Sequence, residues 1–468
     1  MKLYNRLSNE FEEVKPNENN NIRIYLCGVT TYDDCHIGHA RTILVFDVLR
    51  RYLRYNGFEV IFVQNFTDID DKIINRAKKE GINAKEISSR YIESYFEDFT
   101  RLNVLRADNY PKATEHVQEM INLISELVKK NYAYLTSNGV YFRVKRFESY
   151  GKLSKKSIEE LESGARIEID ALKEDPLDFA LWKFSTDDPL WDSPWGKGRP
   201  GWHIECSAMA LKYLGSRIEI HGGGQDLVFP HHENEMAQSE SYTGELFSKF
   251  WIHIGMVTLK TEKMSKSLGN IITVKKAIKK WGPNTLRLYL LTTHYSKPLD
   301  YTDETLSEAL QKWRQIEHCV YELRTTKKQG QTTEEFRITD QSMVDFKDAL
   351  DANMNTSLAI SSFLKLVYQV NKLSSLDMLT QQMCSIILPL VDIMLEILGL
   401  KVLEVDDGEK LKIEQLIEKR DRFRNAKQFL ESDEIRRQLH DLYAVQLTDH
   451  SGYTTWKKIE NISVQSSY

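Results

Sequence analysis

Apolar residues run almost unbroken from Ile22 to Thr30, as in a buried strand, and then recur at helical spacing from Thr42 to Tyr55. A second apolar run, Phe58 to Phe66, and an amphipathic stretch, Asp70 to Lys79, follow. The pattern predicts strand, helix (about Gly38 to Asn56), strand, helix, with a right-handed crossover placing both strands in one parallel sheet.

From Pro111 to Trp202 the pattern is mixed. A helical stretch covers Thr114 to Asn131, hairpin spacing covers Tyr132 to Val144 around Ser137-Asn138-Gly139, and a charged segment and a Trp/Pro/Gly-rich loop follow. This reads as an insertion splitting a nucleotide domain. The second half is predicted as strand Arg217 to His221, a turn at Gly222-Gly223-Gly224, a helix from His231 and strand Phe250 to Val257. Beyond Pro298 apolar residues keep helical spacing, through Leu306 to Leu323 and from Met343 to Leu373. Polar Thr325 to Gln341 and acidic Glu404 to Lys410 read as flexible joins. The expected division is a Rossmann-like α/β parallel-sheet catalytic domain in two halves, 1–110 and 203–260, split by an insertion over 111–202. A lysine-loop region (261–300), an all-α bundle (301–402) and a small C-terminal extension (403–468) complete it.

A chain of 468 residues suffices for several domains, and its net charge of -5 excludes a uniformly basic nucleic-acid binder while leaving room for a local basic patch. Five scattered cysteines argue against a disulfide framework. The start lacks an apolar leader, and no uninterrupted apolar run approaches a membrane span, so a soluble cytoplasmic protein is expected. No coiled-coil seam is evident and a monomer is expected.

Chemistry concentrates in two distant segments. His36-Ile37-Gly38-His39 falls where the first helix begins, at the end of the first strand. Helix N-termini and strand ends of open α/β sheets are where phosphates and nucleotides bind, and two imidazoles can donate to charge developing on an α-phosphate. Lys263-Met264-Ser265-Lys266-Ser267, before Gly269-Asn270, suits a mobile basic loop over a triphosphate. Either segment alone is as readily a helix cap or a solvated loop; together, in this order, they point to nucleotide activation. At these residues the chain resembles the class I aminoacyl-tRNA synthetases, with both signature motifs present without substitution.

His231 and Glu235 are spaced to share a helix face, Cys206 lies upstream and Cys27 ends the first strand. Such a donor set suits zinc better than magnesium or calcium, although the spacing alone is compatible with an ordinary helix-surface pair. The segments Cys27-Gly28, Gly201 to Met209, His221 to Gly224 and Phe229 to Glu235 are similar to those of the cysteinyl-tRNA synthetase family, nearly end to end. Val29 and Thr31 stand where proline and valine are frequent, whereas Thr30, Tyr32 and Asp33 fit.

The resemblance implies that Cys27, Cys206, His231 and Glu235 hold one zinc ion that binds the thiolate of substrate cysteine. It implies that Thr67, Trp202 and His221 line the amino-acid pocket, and that Thr30, His36, Gly38, His39, Gly224, Asp226 and Lys266 bind ATP with magnesium. His36, His39, Lys263 and Lys266 are then the catalytic groups. The expected reaction activates L-cysteine to its adenylate and passes it to the terminal ribose of tRNA(Cys). Selection by thiolate affinity answers a need, because pocket shape alone separates near-isosteres by only about 10- to 200-fold.

The helical tail resembles an anticodon-binding bundle, carried by Asp351 to Thr356 and Lys427 to Arg436. Basic groups at Arg420, Arg422, Arg424, Lys427, Arg436 and Arg437, with Trp456, Lys457 and Lys458, are either RNA contacts or a solvated face. The rival enzymatic reading is a cysteine:amino-sugar ligase of thiol-cofactor biosynthesis, which needs no such bundle. Others are a catalytically silent RNA- or zinc-binding relative and a zinc hydrolase using His232-Glu233.

Overall fold

The computed structural model describes residues 1–157, 160, 172–259, 262–263, 270–330, 337–450 and 452–459, with the backbone alone at 262–263 and 337–340. The chain forms two compact units, Met1–Lys275 with Tyr295–Leu299, and Lys276–His294 with Asp300–Tyr468.

The first unit opens with a hairpin, β1 (Lys2–Asn5) and β2 (Glu10–Glu13), and is built on a four-stranded parallel sheet. Its strands are β3 (Asn21–Thr30), β4 (Glu59–Thr67), β9 (Ile218–Gly224) and β10 (Ser248–Ile254), in the order β10-β9-β3-β4. β3 pairs with both halves of the domain: Ile24 stands opposite Phe62 of β4 and Ile220 of β9. The crossover helix Ile37–Tyr55 is buried on every side over Ile43 to Leu53, as fits a helix enclosed by the domain rather than lying on its surface.

The insertion carries a second, antiparallel sheet in the order β5-β6-β7-β8: Ala133–Leu135, Gly139–Phe142, Phe179–Phe184 and Gly198–Pro200. Its core residues Val140, Phe142 and Trp182 belong to one apolar cluster with Tyr25, Ile218 and Trp251 of the parallel sheet. The insertion is therefore packed into the domain it interrupts.

Two local expectations change. Gly222, Gly223 and Gly224 are not a turn but the last residues of β9, where side chains leave no room: a Cβ on Gly222 would lie 2.0 Å from the Phe46 ring, and one on Gly223 2.9 Å from Leu227. Helical structure after Leu227 begins as a single irregular turn, Val228–His232, broken at Phe229 (φ -140°, ψ 132°), before the regular helix Glu233–Thr243. The helix Ala84–Arg101 lies in a region where no element is expected from the pattern.

The second unit is mainly helical, with long helices Asp303–Thr325, Arg337–Asp351, Thr356–Ser375 and Gln381–Leu398. The apolar period from Met343 to Leu373 spans two of them. The break comes at Asn353 (φ 61°) and Met354 (φ 51°), after which Asn355 caps the next helix. Gln381–Leu398 is long and apolar enough to cross a membrane by composition, but its apolar residues Ile387, Val391, Met394 and Leu398 are buried within the unit. The C-terminal part pairs helices Asp407–Asn425 and Phe429–Tyr443 with an antiparallel hairpin, Val445–Asp449 and Thr454–Lys458, around Ile413, Ile435, Leu439 and Trp456.

Candidate active site and metal centre

His36 caps the helix Ile37–Tyr55. Its Nδ1 accepts from the backbone N–H of Gly38 at 3.1 Å and of His39 at 3.3 Å, while His39 Nδ1 accepts from the His36 N–H at 3.4 Å. The two rings stack with centroids 3.6 Å apart. With both Nδ1 atoms accepting, each neutral imidazole carries its proton on Nε2, the arrangement needed for donation to an anion.

The stretch that follows the second signature segment, Ile272 to Val274, is tied to the first by backbone. Ile37 N–H donates to Ile272 O at 3.1 Å, and Val274 N–H donates to Cys35 O at 2.8 Å. Upstream, Lys263 pairs with Thr258 in a short antiparallel ladder. Lys266 lies outside the described residues, as does the Lys263 side chain.

Between these anchors opens a cleft of about 390 Å³. Of the expected nucleotide residues, Thr30, His36, Gly38, His39, Gly224 and Asp226 all line it, with Ile254 and Met256 beside the β9 edge. Cys27 and Trp202 border it too. Gly28 permits a close crossing: a Cβ there would sit 1.5 Å from Asn65 O, while its N–H donates to Asn65 Oδ1 at 2.9 Å.

Behind the cleft, Cys27, Cys206, His231 and Glu235 each offer a donor atom within 4.8 Å of the others, and all four residues are buried. The sulfurs are 3.7 Å apart, Cys27 Sγ is 3.3 Å from Glu235 Oε1, and His231 Nε2 is 2.9 Å from the same oxygen. A hydrogen bond from Cys27 draws the Cys206 thiol down to about 6 against burial, whereas burial pushes Cys27 well up. Burial also acts to lower His231, but Glu235 and Cys206 prevail and raise it to about 10. Glu235 is held well below the usual carboxylate range, burial being outweighed by His221 and His231. These shifts favour negative charge on Cys206 and Glu235 and a proton on His231, and the set holds no lysine or arginine. These donors fit a borderline divalent ion taking the place of that proton.

An overlapping set, Cys27, His221, His232 and Glu235, also lies within 4.8 Å. His232 is already engaged there, its Nδ1 2.8 Å from His253 Nε2, and its Nε2 stands 4.0 Å from Glu235. The first set, with two thiols, is the better metal ligand.

The other expected pocket residues divide. Trp202 begins the helix Trp202–Leu214 with its ring 4.3 Å from that of His231, at the cleft. Thr67 and His221 are buried behind it: Thr67 Oγ1 donates to Glu205 at 3.0 Å, and His221 Nε2 lies 3.2 Å from Glu235 and 3.5 Å from Cys27. Sequence reasoning missed Gln64 and Lys72 among the lining residues; their one signal was position at or beyond the end of a predicted strand.

Two alternatives lose ground. Glu233, the base required of a hydrolase, accepts from the backbone N–H groups of Gly151 at 2.9 Å and Ser154 at 2.7 Å, and so anchors the insertion. In the second unit Arg420 is buried and forked onto Asp449, at 2.6 and 3.0 Å, where Arg424 and Arg436 also converge. Trp456 is core. Among the basic groups considered for RNA, Arg422 and Arg437 are the strongly exposed arginines, at 82% and 71%.

Comparison with known proteins agrees. The family described as tRNA synthetases class I (C) catalytic domain matches residues 13–311. Cysteine-tRNA ligase of Caldicellulosiruptor saccharolyticus is 45% identical over 472 residues, covering 99% of this chain and 100% of that protein. The cysteine-tRNA ligase of Pyrococcus abyssi is 42% identical, covering 98% and 99%. Among solved structures, methionyl-tRNA synthetase of Mycobacterium tuberculosis in complex with methionyl-adenylate is 14% identical with a TM-score of 0.61, covering 81% of this chain and 89% of that one, a likeness of fold. The chain belongs to the cysteine-tRNA ligase family of class I aminoacyl-tRNA synthetases.

Proposed function

We propose that this chain activates L-cysteine with ATP and esterifies it to the 3'-terminal ribose of tRNA(Cys), with a zinc ion selecting the substrate thiolate. The observation that carries this reading is the shared wall: Cys27 belongs to the donor quartet and also borders the cleft lined by His36 and His39.

Cys27, Cys206, His231 and Glu235 would hold the zinc. Bound there, the metal distinguishes a thiolate from an un-ionised hydroxyl. His36 and His39 donate from Nε2 to the α-phosphate as negative charge builds, and their stacked, capped geometry means they need not reorganise at that moment. Lys263 and Lys266 neutralise the departing pyrophosphate, with magnesium accompanying ATP. Gly224 and Asp226 receive the nucleoside, and Trp202 closes the amino-acid side. Thr67 and His221 set that pocket from behind. The helices of 301–402 and the extension 403–468 take the anticodon end of the tRNA. We expect a cytoplasmic monomer.

The test is aminoacylation of tRNA(Cys) by the zinc-loaded protein with labelled cysteine and labelled serine in parallel. Cysteine charging without serine charging supports the reading. Cysteine-dependent pyrophosphate exchange without charging supports transfer to an amine acceptor instead.

A further inference from the structure

Lys72 is the one lysine or arginine among the described residues lining the cleft. It follows Asp71 at the start of the helix Asp71–Glu80, and Asp70 fixes its backbone by accepting from the Lys72 N–H at 2.8 Å. Neighbouring cations are neutralised. Arg76 pairs with Glu80 and Asp33, Arg199 with Asp71, Lys78 with Asp187 at 2.9 Å and Lys112 with Glu115 at 3.2 Å. Lys72 makes no ion pair with a described carboxylate; its ammonium stands 5.5 Å over the Tyr32 ring. An uncommitted cation facing a cleft is kept for an anionic ligand more readily than for stability.

Which anion follows from the sheet order. β9 and β10 lie on one side of β3 and supply Gly224, Asp226, Ile254 and Met256, the wall for the nucleotide. β4 lies on the other side, and Lys72 projects from the helix that follows it, together with Tyr32 on the rim. Resting on the proposed function, the nucleoside is received on the β9 side and the departing pyrophosphate by Lys263 and Lys266. The remaining anion is the single-stranded 3' end of the tRNA, arriving where the acyl group is presented. The rim is braced for this, since Asp71 and Lys78 tie its helix to Arg199 and Asp187 of the insertion.

We infer that Lys72 binds a phosphate of the tRNA 3'-terminal strand and acts in the transfer step rather than in activation.

The test compares Lys72→Ala and Lys72→Arg with the unaltered protein in cysteine-dependent pyrophosphate exchange and in single-turnover transfer from preformed adenylate, over a range of salt. Lys72→Ala is expected to keep exchange within about twofold while weakening tRNA use about tenfold. The logarithmic salt slope of tRNA binding should become shallower by about 0.7, the share of one single-strand phosphate, and Lys72→Arg should restore most of the loss. Equal losses in exchange and transfer would assign Lys72 to activation and overturn the inference. Unchanged transfer with an unchanged slope would do so as well. Absence of charging by the unaltered protein would sink the ligase reading itself, a result separable from either.

Discussion

Cys27 Sγ and Cys206 Sγ lie 3.7 Å apart although 179 residues separate them. One stands on β3, the other on the helix Trp202–Leu214, with the whole insertion between. Their meeting depends on Ile24 and Tyr25 pairing with Ile220 and His221, which brings the second half of the domain against the first.

If these thiols bind the metal, Cys206→Ser should lower zinc affinity at least about 100-fold, more than loss of an outer partner does. Metal analysis of the dialysed protein is the check, and stoichiometric zinc in the variant would refute the assignment. Serine discrimination should erode in parallel.

His36 serves both fold and chemistry through different nitrogens. His36→Asn keeps an N-cap acceptor and should change stability by less than about 1 kcal/mol, whereas His36→Ala should cost about 1 kcal/mol. Both should slow pyrophosphate exchange about 10²- to 10³-fold by removing the Nε2 donor. Thermal melts beside exchange rates separate the two roles; an active Asn variant would show the donor to be dispensable.

Glu233 is assigned to architecture. Glu233→Gln should destabilise the protein by about 1–3 kcal/mol through the backbone N–H groups of Gly151 and Ser154, and accelerate proteolysis within the insertion. Zinc content should not change. Loss of the metal with an intact insertion would contradict this placement.

Asp449 sets a pH response in the C-terminal part. Burial acts to raise its pKa, but bonds to Arg420 and the charges of Arg424 and Arg436 prevail and hold it at about 2. A carboxylate depressed in the folded state contributes stability that is complete above the unfolded value of about 4 and fades as pH falls toward 2. Acid unfolding of this part should steepen over that window and flatten in Asp449→Asn. Arg420→Ala, which leaves Asp449 paired with Arg424 and Arg436, should cost about 1–3 kcal/mol at neutral pH. Urea melts at several pH values test both.

Recurring apolar positions and nearly uninterrupted apolar runs made β3, β4 and the crossover helix legible, within a residue or two of their observed ends. The three glycines of β9 were not, because glycine signals a turn unless a ring such as Phe46 occupies the space where side chains would be. Nor was the break at Asn353 and Met354, since reversal over two residues leaves the apolar period almost in phase. At the site, residue type with family likeness picked out the donors that converge and the residues that line the cleft. Lys72 escaped because a lone lysine carries no pattern. Arg420 was open to the opposite reading, as a basic run in sequence does not reveal that Asp449 meets it in space.

The donor quartet also bears on how the enzyme fails. Its members come from β3, from the helix Trp202–Leu214 and from the adjoining turn Val228–His232 and helix Glu233–Thr243, so a bound ion would act as a rivet through three segments remote in sequence. A chain starved of metal would then lose substrate selection and the bracing of its divided domain together. Under scarcity the cell would meet an unstable enzyme open to degradation, rather than a sturdy one that places serine in cysteine's position.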